Sequence, residues 1–556
     1  MGNEAHDGAE SAATGPGRVN SSLRDSLWES GRAEFHYTVD LAKALWATLK
    51  EEPSSAAANP VRPDPKDWRF AHPIWSTNRY FHLLEQNHLL MQRCAVEIAE
   101  SLPISPRDRR AFRGLTQFVV DAIAPTNFLA GNPAALQAVL DTRGRSLLAG
   151  ARNLLSDISA KHKLPPLTDL RKFDKGMDLA ASEGSVIHRN RIVEVIQYKA
   201  RTQTAYATPL LIVPPWVNRH YIADIAPGKS FVEWMVERGH TVFSMSYRNA
   251  DASLADVGFD TYMKEGLIPA LDAVQDITGA EKVNLVGPCL GGTLALMMAA
   301  WEADQKHQRV ASVTLMNSLI DFSDFSDMLH SPNRERVAEF TFQLIDRLWR
   351  YKGYVDGYTI GNFFRLLRAN ELVWPQVITN WLLGKESPEH PVLAWSSDST
   401  HVPYRAQRYL VHELVMKNSL ARGEACIDGK RLHLQDVTQD IFISAARDDH
   451  IIPWTAAYRT AALLPGDVRF HLVSGGHVLG SATPPSPGKA RYWTADHRLY
   501  QGSSDWLAHA VEHRASWWSA WEEWLSRRAG ERCNPPSMGN SRYPVIGKAP
   551  GTYVFT

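Results

Sequence analysis

The stretch of sequence that decides the fold of this 556-residue chain is Gly287-Pro288-Cys289-Leu290-Gly291. An apolar run, Val283–Val286, comes before it, and small residues in a helical pattern follow at 292–301. Glycines on both sides allow the backbone to turn sharply and project one side chain beyond the end of a strand. The sequence therefore predicts a strand, a tight turn that presents the thiol of Cys289, and a helix.

Other interpretations of this segment can be tested against the same residues. A phosphate-binding loop beginning at Gly287 needs Lys at position 293, where the chain has Thr293. A dinucleotide-binding fingerprint needs Gly at position 289, which is Cys289. A buried structural cysteine at a strand–helix junction is compatible with the residue type. Only partner residues elsewhere in the chain can separate that interpretation from a nucleophile.

Composition excludes several classes of protein. Sixty basic and sixty acidic residues balance, so nothing points to nucleic acid or an anionic membrane as the main partner. The four cysteines (Cys94, Cys289, Cys426 and Cys533) have neither metal-ligand spacing nor the density of a disulfide framework, which favours a reducing compartment. Residues 1–25 lack the apolar core of a signal peptide or anchor, and no apolar run of about 18 residues follows. We therefore expect a cytoplasmic protein with no transmembrane segment.

The length favours more than one folded unit. Residues 1–25 are polar and rich in Gly, Ala and Ser, which predicts a disordered tail. Residues 26–175 have apolar residues three and four positions apart, for example at 80–100 and 132–155, which predicts a mostly helical N-terminal domain. The rest of the chain, 176–556, is predicted to be the domain that carries the Cys289 turn.

From about residue 193, short runs rich in β-branched residues alternate with helical patterns. The predicted strands are Ile192–Tyr198, Leu210–Val213, Thr241–Ser246, Val283–Val286, Val313–Met316, Ile441–Ser444 and Val468–Val473. This alternation predicts an α/β domain with a parallel sheet. In such a sheet, strand, Gly-x-nucleophile-x-Gly and helix form the nucleophile elbow of the α/β-hydrolase fold. Helical segments at about 321–438 predict a helical cap insertion over the carboxyl edge of the sheet.

An elbow nucleophile needs a base and a carboxylate that orients the base, in the chain order nucleophile, acid, histidine. Asp448 and Asp449 both follow the predicted strand Ile441–Ser444, and the residues alone leave them tied, since either can instead hold the next helix N-terminus. After the strand Val468–Val473, a glycine-containing loop leads to His477 and can bring its imidazole towards the elbow. His477 is therefore the preferred base.

Three other histidines fit other roles. His471 alternates inside its strand and is interpreted as a packing residue, and His450 precedes a predicted helix that it can cap or pack against. His412 begins a sequence similar to a zinc-protease motif, but Met416 stands where the second histidine must be. No metal site and no cofactor are predicted.

The chain resembles the polyhydroxyalkanoate synthases, which polymerise (R)-3-hydroxyacyl-CoA into a storage polyester such as poly-3-hydroxybutyrate. The matching motifs are Asn127-Phe128-Leu129, Pro214-Pro215-Trp216-Val217-Asn218, Ser246-Tyr247-Arg248-Asn249, Gly287–Gly292, Asp449-His450-Ile451-Ile452-Pro453-Trp454, and Ser474-Gly475-Gly476-His477 followed by Pro484-Pro485. The resemblance begins near residue 67 and continues to the end of the sequence. One departure is Ser396 after Trp395, where the family commonly has Asn.

The resemblance implies a role for each candidate residue. Cys289 becomes the nucleophile, Asp449 the carboxylate and His477 the base, which resolves the choice between Asp448 and Asp449. The helical N-terminal domain resembles the single-subunit, class I-like enzymes and implies a homodimer. The CoA thioester is then the substrate, and the surface of the polyester granule is an implied partner.

A thiol nucleophile suits this reaction. Cys289 exchanges one thioester for another at nearly equal free energy, so the acyl group stays activated for attack by an alcohol. His477 can raise the thiolate fraction of Cys289. The predicted oxyanion donors are the backbone N–H groups of Leu290 and of Val217 in the loop 214–218. A cap that contains Trp349, Trp374, Trp381 and Trp395 would exclude water from the acyl-enzyme.

Two alternative functions remain, and the orientation of the Trp216 side chain is also open. A cysteine-type α/β-hydrolase, such as a thioesterase or a polyester depolymerase, would release free hydroxy acid. A non-enzymatic granule-associated protein, suggested by the late tryptophans at 506–524, would not depend on Cys289. The side chain of Trp216 either narrows the acyl pocket, which would favour monomers of about three to five carbons, or packs in the core and supports its loop.

Overall fold

The computed structural model describes residues 16–50, 53, 58–65, 67–159, 164–325, 335–482, 484–485 and 490–556. The contacts within the chain define two compact units. The helical unit comprises Met1–Ser156 with Ala369–Glu386, and the sheet unit comprises Asp157–Arg368 with Ser387–Thr556. No described helix combines the length and the hydrophobicity that a membrane crossing requires.

The helical unit is built from amphipathic helices, and side chains cap the first turns of Arg79–Ser101, Pro106–Ala122 and Pro133–Asp141. Its helices of four or more residues are Pro16–Lys50, Ile74–Thr77, Arg79–Ser101, Pro106–Ala122, Pro133–Asp141, Arg145–Ser159 (which continues past residue 156), Ala369–Leu372 and the π-helix Val377–Leu382. Asn78 accepts hydrogen bonds from the first N–H groups of Arg79–Ser101, and Ser105 caps the next helix. Phe70, Trp75 and Phe81 form its buried aromatic core.

The two units divide the chain differently from the predicted ranges. Residues 157–175 group with the sheet unit, where Thr168 Oγ1 donates to Pro388 O (2.7 Å). Residues 369–386, inside the predicted cap, group with the helical unit, where Asn153 Nδ2 donates to Asn380 O (3.1 Å). Of the predicted disordered tail, residues 1–15 lie outside the described residues, and the helix Pro16–Lys50 covers 16–25.

The sheet unit contains one large sheet, which among the described residues has eleven strands. They are β1 Gly184–Arg189, β2 Val193–Tyr198, β3 Leu210–Ile212, β4 Val242–Tyr247, β5 Val283–Pro288, β6 Val310–Met316, β7 Asp440–Ala446, β8 Val468–Val473, β9 Tyr492–Thr494, β10 Val511–His513 and β11 Gly547–Lys548. Their order is β10-β9-β8-β7-β6-β5-β3-β4-β2-β1-β11. Strands β4, β3, β5, β6, β7 and β8 are parallel, and the remaining pairs are antiparallel.

This order positions the functional site. From β3 the chain first adds β4 on one side and then β5 on the other, so the strand order reverses between β3 and β5. Crevices at the carboxyl ends of such strands are where open α/β sheets bind ligands. The loop 214–218 and the turn at Cys289 leave the sheet at this reversal.

Helices cover both faces of the sheet. The longer ones are Phe231–Val236, Ile268–Thr278, Leu290–Trp301, Glu335–Lys352, Gly357–Leu367, Pro391–Ser397, Tyr404–Tyr409, Trp454–Leu463, His477–Ala482, Ser503–His509 and Trp517–Ser526, with π-helices at Tyr262–Leu267 and Leu410–Met416. One face packs against a large aliphatic core and the other against a core that includes Trp517, Trp518 and Trp521. The late tryptophans are therefore packed inside the protein.

The outer strands of the sheet were not predicted from the sequence. All seven predicted strands are present within about three residues of their expected bounds, whereas β1, β9, β10 and β11 were not predicted. Strands β9 to β11 have two or three residues each, too few to show a period of two. In the predicted cap, two-residue strands pair Tyr354–Val355 with Val402–Pro403 and Cys426–Ile427 with Lys430–Arg431.

Glu194 on β2 ties the sheet to residues 552–553. Its fully buried carboxylate forms an ion pair with Arg189 (2.5 Å) and accepts hydrogen bonds from Thr552 N and Oγ1 and from Tyr553 N. Removing it would leave the Arg189 guanidinium and several donors without their acceptor.

We expect Glu194→Ala to lower the free energy of unfolding by about 3 kcal/mol, because the groups that bond to Glu194 lose their acceptor. Glu183→Ala is the matched control, since Glu183 pairs with Lys199 at the surface. It should change the free energy of unfolding by less than about 0.5 kcal/mol. Urea denaturation of the full chain measures both. Equal effects of the two substitutions would contradict this role of Glu194.

Candidate active site

The turn at Cys289 holds a non-glycine residue in a left-handed conformation. Cys289 has φ +52° and ψ −127° between the end of β5 and the helix Leu290–Trp301. Its backbone N–H donates to Met316 O at the end of β6 (2.9 Å). Such a conformation persists only where the surroundings over-determine it. The side chain is half-buried and packs against the large aliphatic core.

Three glycines make this turn possible. A Cβ on Gly291 would overlap the carbonyl oxygen of Val213, and one on Gly292 would overlap Ser318 Oγ. A Cβ on Gly287 would meet the backbone of Gly292. The loop after β3 and the segment after β6 therefore lie directly against the elbow, closer than any side chain would allow.

The structure brings Asp449 and His477 together. His477 Nδ1 lies 2.7 Å from Asp449 Oδ2, and the carboxylate is almost completely buried (1% exposed). Asp449 Oδ1 accepts the N–H groups of Ile451 and Ile452, both at 2.8 Å. Both oxygens are thus engaged. Asp448, the other candidate, is exposed and does not take part in this pair.

His477 lies between the predicted nucleophile and the carboxylate. Burial alone would lower its pKa, but the charges and hydrogen bonds of Asp449 and Cys289 outweigh this effect and raise the pKa of His477 to about 10. Because Nδ1 faces Asp449, Nε2 is the nitrogen left for the thiol of Cys289. His477 thus interacts with Asp449 and is close enough to Cys289 for Cys289 to raise its pKa.

The other histidines have the surroundings of packing residues. His471 is packed between the rings of Phe442 and Tyr492, and burial lowers its pKa to about 3. His450 lies beside Arg368, and burial together with that cation lowers its pKa to about 4. Both rings are therefore neutral at physiological pH.

The predicted oxyanion donors lie on the two segments that meet at the elbow. Leu290 is the first residue of its helix, so its N–H has no acceptor within the helix. Val217 is buried in the loop after β3, and the start of that loop, Val213 and Pro214, lies against Gly291. The loop that carries Val217 is therefore adjacent to the elbow.

Trp216 points into the core. Its ring stacks on Tyr262 (4.7 Å between centroids) and meets Phe259 edge-on, and only 2% of the residue is exposed. This arrangement supports the interpretation in which Trp216 stabilises its loop.

The tryptophans expected in a cap are divided between the two units. Trp374 and Trp381 group with the helical unit, whereas Trp395 is buried in the sheet unit and donates to Arg219 O.

Asn317 and Ser318, which follow β6, also belong to the site, although neither was predicted from the sequence. Asn317 Nδ2 donates to the backbone oxygen of His477 (2.5 Å), and Ser318 Oγ donates to Gly287 O (2.9 Å). The available signal was a pair of polar residues directly after an apolar strand, at the edge where ligands bind. Among the described residues, no cluster of three or more His, Cys, Asp or Glu is arranged as a metal site.

Comparison with known proteins identifies the family. A family model described as "Poly-beta-hydroxybutyrate polymerase (PhaC) N-terminus" matches residues 66–235, and a model of the alpha/beta hydrolase fold matches 208–480. The "Poly(3-hydroxyalkanoate) polymerase subunit PhaC" of Cupriavidus necator is 36% identical over 537 residues, covering 94% of this chain and 88% of the relative. The chain belongs to the poly(3-hydroxyalkanoate) polymerase family. Enzymes of this family are acyltransferases, and the resemblance inferred from the motifs is confirmed.

Further relatives cover similar shares. "Poly(3-hydroxyalkanoate) polymerase 2" of Ectopseudomonas oleovorans is 37% identical over 502 residues, covering 89% of this chain and 88% of the relative. Among solved structures, a thermophilic esterase from Thermogutta terrifontis has a TM-score of 0.28 and 14% identity, covering 62% of this chain and 98% of that chain. The match to the fold model, together with the strand order, confirms the predicted α/β-hydrolase fold.

The close approach at the elbow generates a prediction. We expect Gly291→Ala to lower the free energy of unfolding by more than about 3 kcal/mol or to prevent folding, because Val213 O belongs to the backbone and cannot move aside alone. Gly114→Ala is the control, since Gly114 lies inside a helix with open space around its Cα and alanine should stabilise it by about 0.5–1 kcal/mol. Thermal unfolding of both variants measures the difference. A stable Gly291→Ala variant would contradict the packing of the elbow.

Proposed function

We propose that this protein polymerises (R)-3-hydroxyacyl-CoA into polyhydroxyalkanoate and releases CoA, through an acyl thioester on Cys289. Membership in the polymerase family supports polymerisation of hydroxyalkanoates on this fold. The observation that carries the finer proposal is the bond between His477 and Asp449, together with the effect of Cys289 at the elbow on the pKa of His477. The proposed chemistry uses side chains of the chain itself and no cofactor.

The first step is acylation of Cys289. Cys289 and Asp449 raise the pKa of His477 to about 10, so His477 is the proposed base and takes the proton of the Cys289 thiol. The thiolate attacks the thioester carbonyl, the bond between that carbon and the CoA sulfur breaks, and CoA takes the proton from His477. Acylation removes one of the charges that raise the pKa of His477, which favours this proton transfer.

The second step forms the ester. The hydroxyl of the next monomer or of the chain end attacks the acyl group, neutral His477 accepts its proton, and the thiolate of Cys289 leaves. In both steps negative charge develops on the acyl oxygen. The N–H groups of Leu290 and Val217 are the proposed donors to it, each worth roughly 3 kcal/mol. The exchange from thioester to ester provides the driving force.

Asp449 is proposed to act through His477. Its Oδ2 faces Nδ1, and its Oδ1 already accepts two backbone N–H groups. A carboxylate that is 1% exposed and engaged at both oxygens has little capacity to take a proton from a substrate hydroxyl as well. This favours a role in orienting the imidazole and stabilising its charge.

The alternatives differ in their products or in their dependence on Cys289. A hydrolase would pass the acyl group to water and release one free hydroxy acid for each CoA. The granule-coat hypothesis relied on exposed tryptophans, but the residues concerned are between 0% and 7% exposed: Trp506, Trp517, Trp518, Trp521 and Trp524. No observation on the sheet unit favours either alternative.

Three further proposals follow from family membership. We propose a homodimer, a cytoplasmic location and association with the surface of the polyester granule. Light scattering of the purified protein tests the dimer. Sedimentation of the enzyme with polymer that it has made in vitro tests the association, and a protein that stays in the supernatant would contradict it.

The function is tested with (R)-3-hydroxybutyryl-CoA as substrate. We expect thiol release together with insoluble polymer and little free 3-hydroxybutyrate, whereas equal amounts of CoA and free acid would identify a hydrolase. Cys289→Ala should reduce CoA release by at least about a hundredfold while the protein stays folded. Cys426→Ala, at an exposed cysteine, is the control and should retain wild-type activity. Turnover by Cys289→Ala above about a hundredth of wild type would contradict the nucleophile.

The role of Asp449 is tested by separating the two steps. If it acts only through His477, Asp449→Asn should slow acylation of Cys289 and elongation by the same factor, and His477→Gln should slow both further. Rapid-quench measurement of labelled acyl-enzyme reports the first step, and polymer formation reports the second. An Asp449→Asn variant that acylates normally but elongates poorly would instead assign Asp449 to activation of the hydroxyl.

A further inference from the structure

Asn317 lies at the centre of the contacts that hold the candidate active site. It follows β6 with φ +46°, a left-handed conformation that asparagine tolerates better than most residues, and it is 2% exposed. It is not among the residues predicted from the sequence. Its backbone and its side-chain amide both bond to elements that carry the candidate catalytic groups.

Two of these bonds go to β7, the strand that presents Asp449. The backbone N–H of Asn317 donates to Ser444 O, and its Oδ1 accepts the N–H of Ala446, both at 2.8 Å. Ala446 is the last residue of β7 and lies three positions before Asp449. The side chain of Asn317 is therefore fixed relative to the carboxylate.

The third bond goes to the histidine loop. Asn317 Nδ2 donates to the carbonyl oxygen of His477 (2.5 Å). The residues before His477 are Gly475, at φ +101°, and Gly476, so the loop itself provides little conformational restraint. A bond to the carbonyl of His477 fixes the backbone from which the imidazole extends.

The neighbours of Asn317 bond to the elbow. Met316 O accepts the N–H of Cys289, and Ser318 Oγ donates to Gly287 O. The three consecutive residues 316–318 thus contact the strand of the carboxylate, the loop of the base and the turn of the nucleophile. This segment therefore connects three elements that are far apart in the sequence.

We propose that Asn317 is a positioning residue that keeps the imidazole of His477 aligned between Asp449 and Cys289. The inference rests on the proposed function, because Asn317 acts through the proposed base. In the bonds described above, its side chain acts on backbone groups, the carbonyl of His477 and the N–H of Ala446. Its side-chain amide is suited to the task because one oxygen and one nitrogen face an N–H donor and a carbonyl acceptor at the same time.

Two substitutions separate this role from a contribution to stability alone. Asn317→Gly removes the amide but tolerates φ +46° without strain, and Asn317→Asp keeps the acceptor for Ala446 and loses the donor to His477. Asn418→Gly is the matched control. Asn418 also has a left-handed backbone (φ +52°), and its side chain bonds Asp321 Oδ1 and the N–H of Phe322. Neither of these groups belongs to the candidate catalytic residues.

The experiment measures the rate of alkylation of Cys289 in the absence of substrate and the rate of CoA release in its presence. Alkylation of Cys289 by iodoacetamide is followed by peptide mass spectrometry, with Cys426 of the same sample as reference. We expect Asn317→Gly and Asn317→Asp to slow alkylation of Cys289 about fivefold at pH 7, with a smaller difference at pH 9.5, where the thiolate forms without help. CoA release should show kcat lowered about tenfold and KM changed less than about twofold. Asn418→Gly should match wild type in both assays per folded protein.

The outcomes distinguish this inference from the proposed function. If wild type releases CoA and the Asn317 variants match Asn418→Gly in alkylation and in kcat, the positioning role is overturned and the proposed function stands. If wild type releases no CoA, the proposed function fails, and the alkylation profile alone then decides whether Asn317 aligns His477. Slower alkylation of Cys289 in the Asn317 variants alone supports the inference.

Discussion

At the elbow the backbone of Gly291 lies against the carbonyl of Val213, and Gly292 lies against the side chain of Ser318. These contacts leave no room for a Cβ, and they bring the segments after β3, β5 and β6 to one point at the carboxyl edge of the sheet. Cys289 takes its left-handed conformation as a consequence, because the strand before it and the helix after it are both fixed. The rest of the site is arranged around this turn.

Electrostatic interactions around Asp449 and His477 determine the protonation of the imidazole. The carboxylate of Asp449 is buried, which is costly unless each oxygen is compensated, and here one oxygen meets two N–H groups and the other meets His477. The neighbouring Asp449 and Cys289 together outweigh the effect of burial and raise the pKa of His477 to about 10. The same charges that hold the imidazole in place thus set its proton affinity. Position and reactivity of His477 have a single physical cause.

The tryptophans show how composition alone can mislead about function. A cluster of large aromatic residues late in the chain is compatible either with an exposed surface that binds a hydrophobic partner or with the protein core. In the structure, Trp517, Trp518 and Trp521 pack with Phe231 under the sheet, and Trp521 Nε1 donates to Thr314 Oγ1. Each indole finds both apolar neighbours and, where needed, a polar partner inside the protein. Trp216 is likewise packed among aromatic rings, those of Phe259 and Tyr262.

The parallel strands and the elbow at Cys289 could be predicted from the sequence alone, because apolar runs, glycine positions and the order of strand and helix are local patterns. The residues left Asp448 and Asp449 tied and the family resemblance chose between them, and only the tertiary structure gives the reason, since one faces His477 and its neighbour faces solvent. Asn317 could not be found from its surroundings in the chain, because the groups that it bonds lie 129 and 160 residues away. The short outer strands likewise could not be predicted, because they form only by pairing with strands that are distant in the sequence. Contacts between distant segments decided these features, and a local pattern contains no information about them.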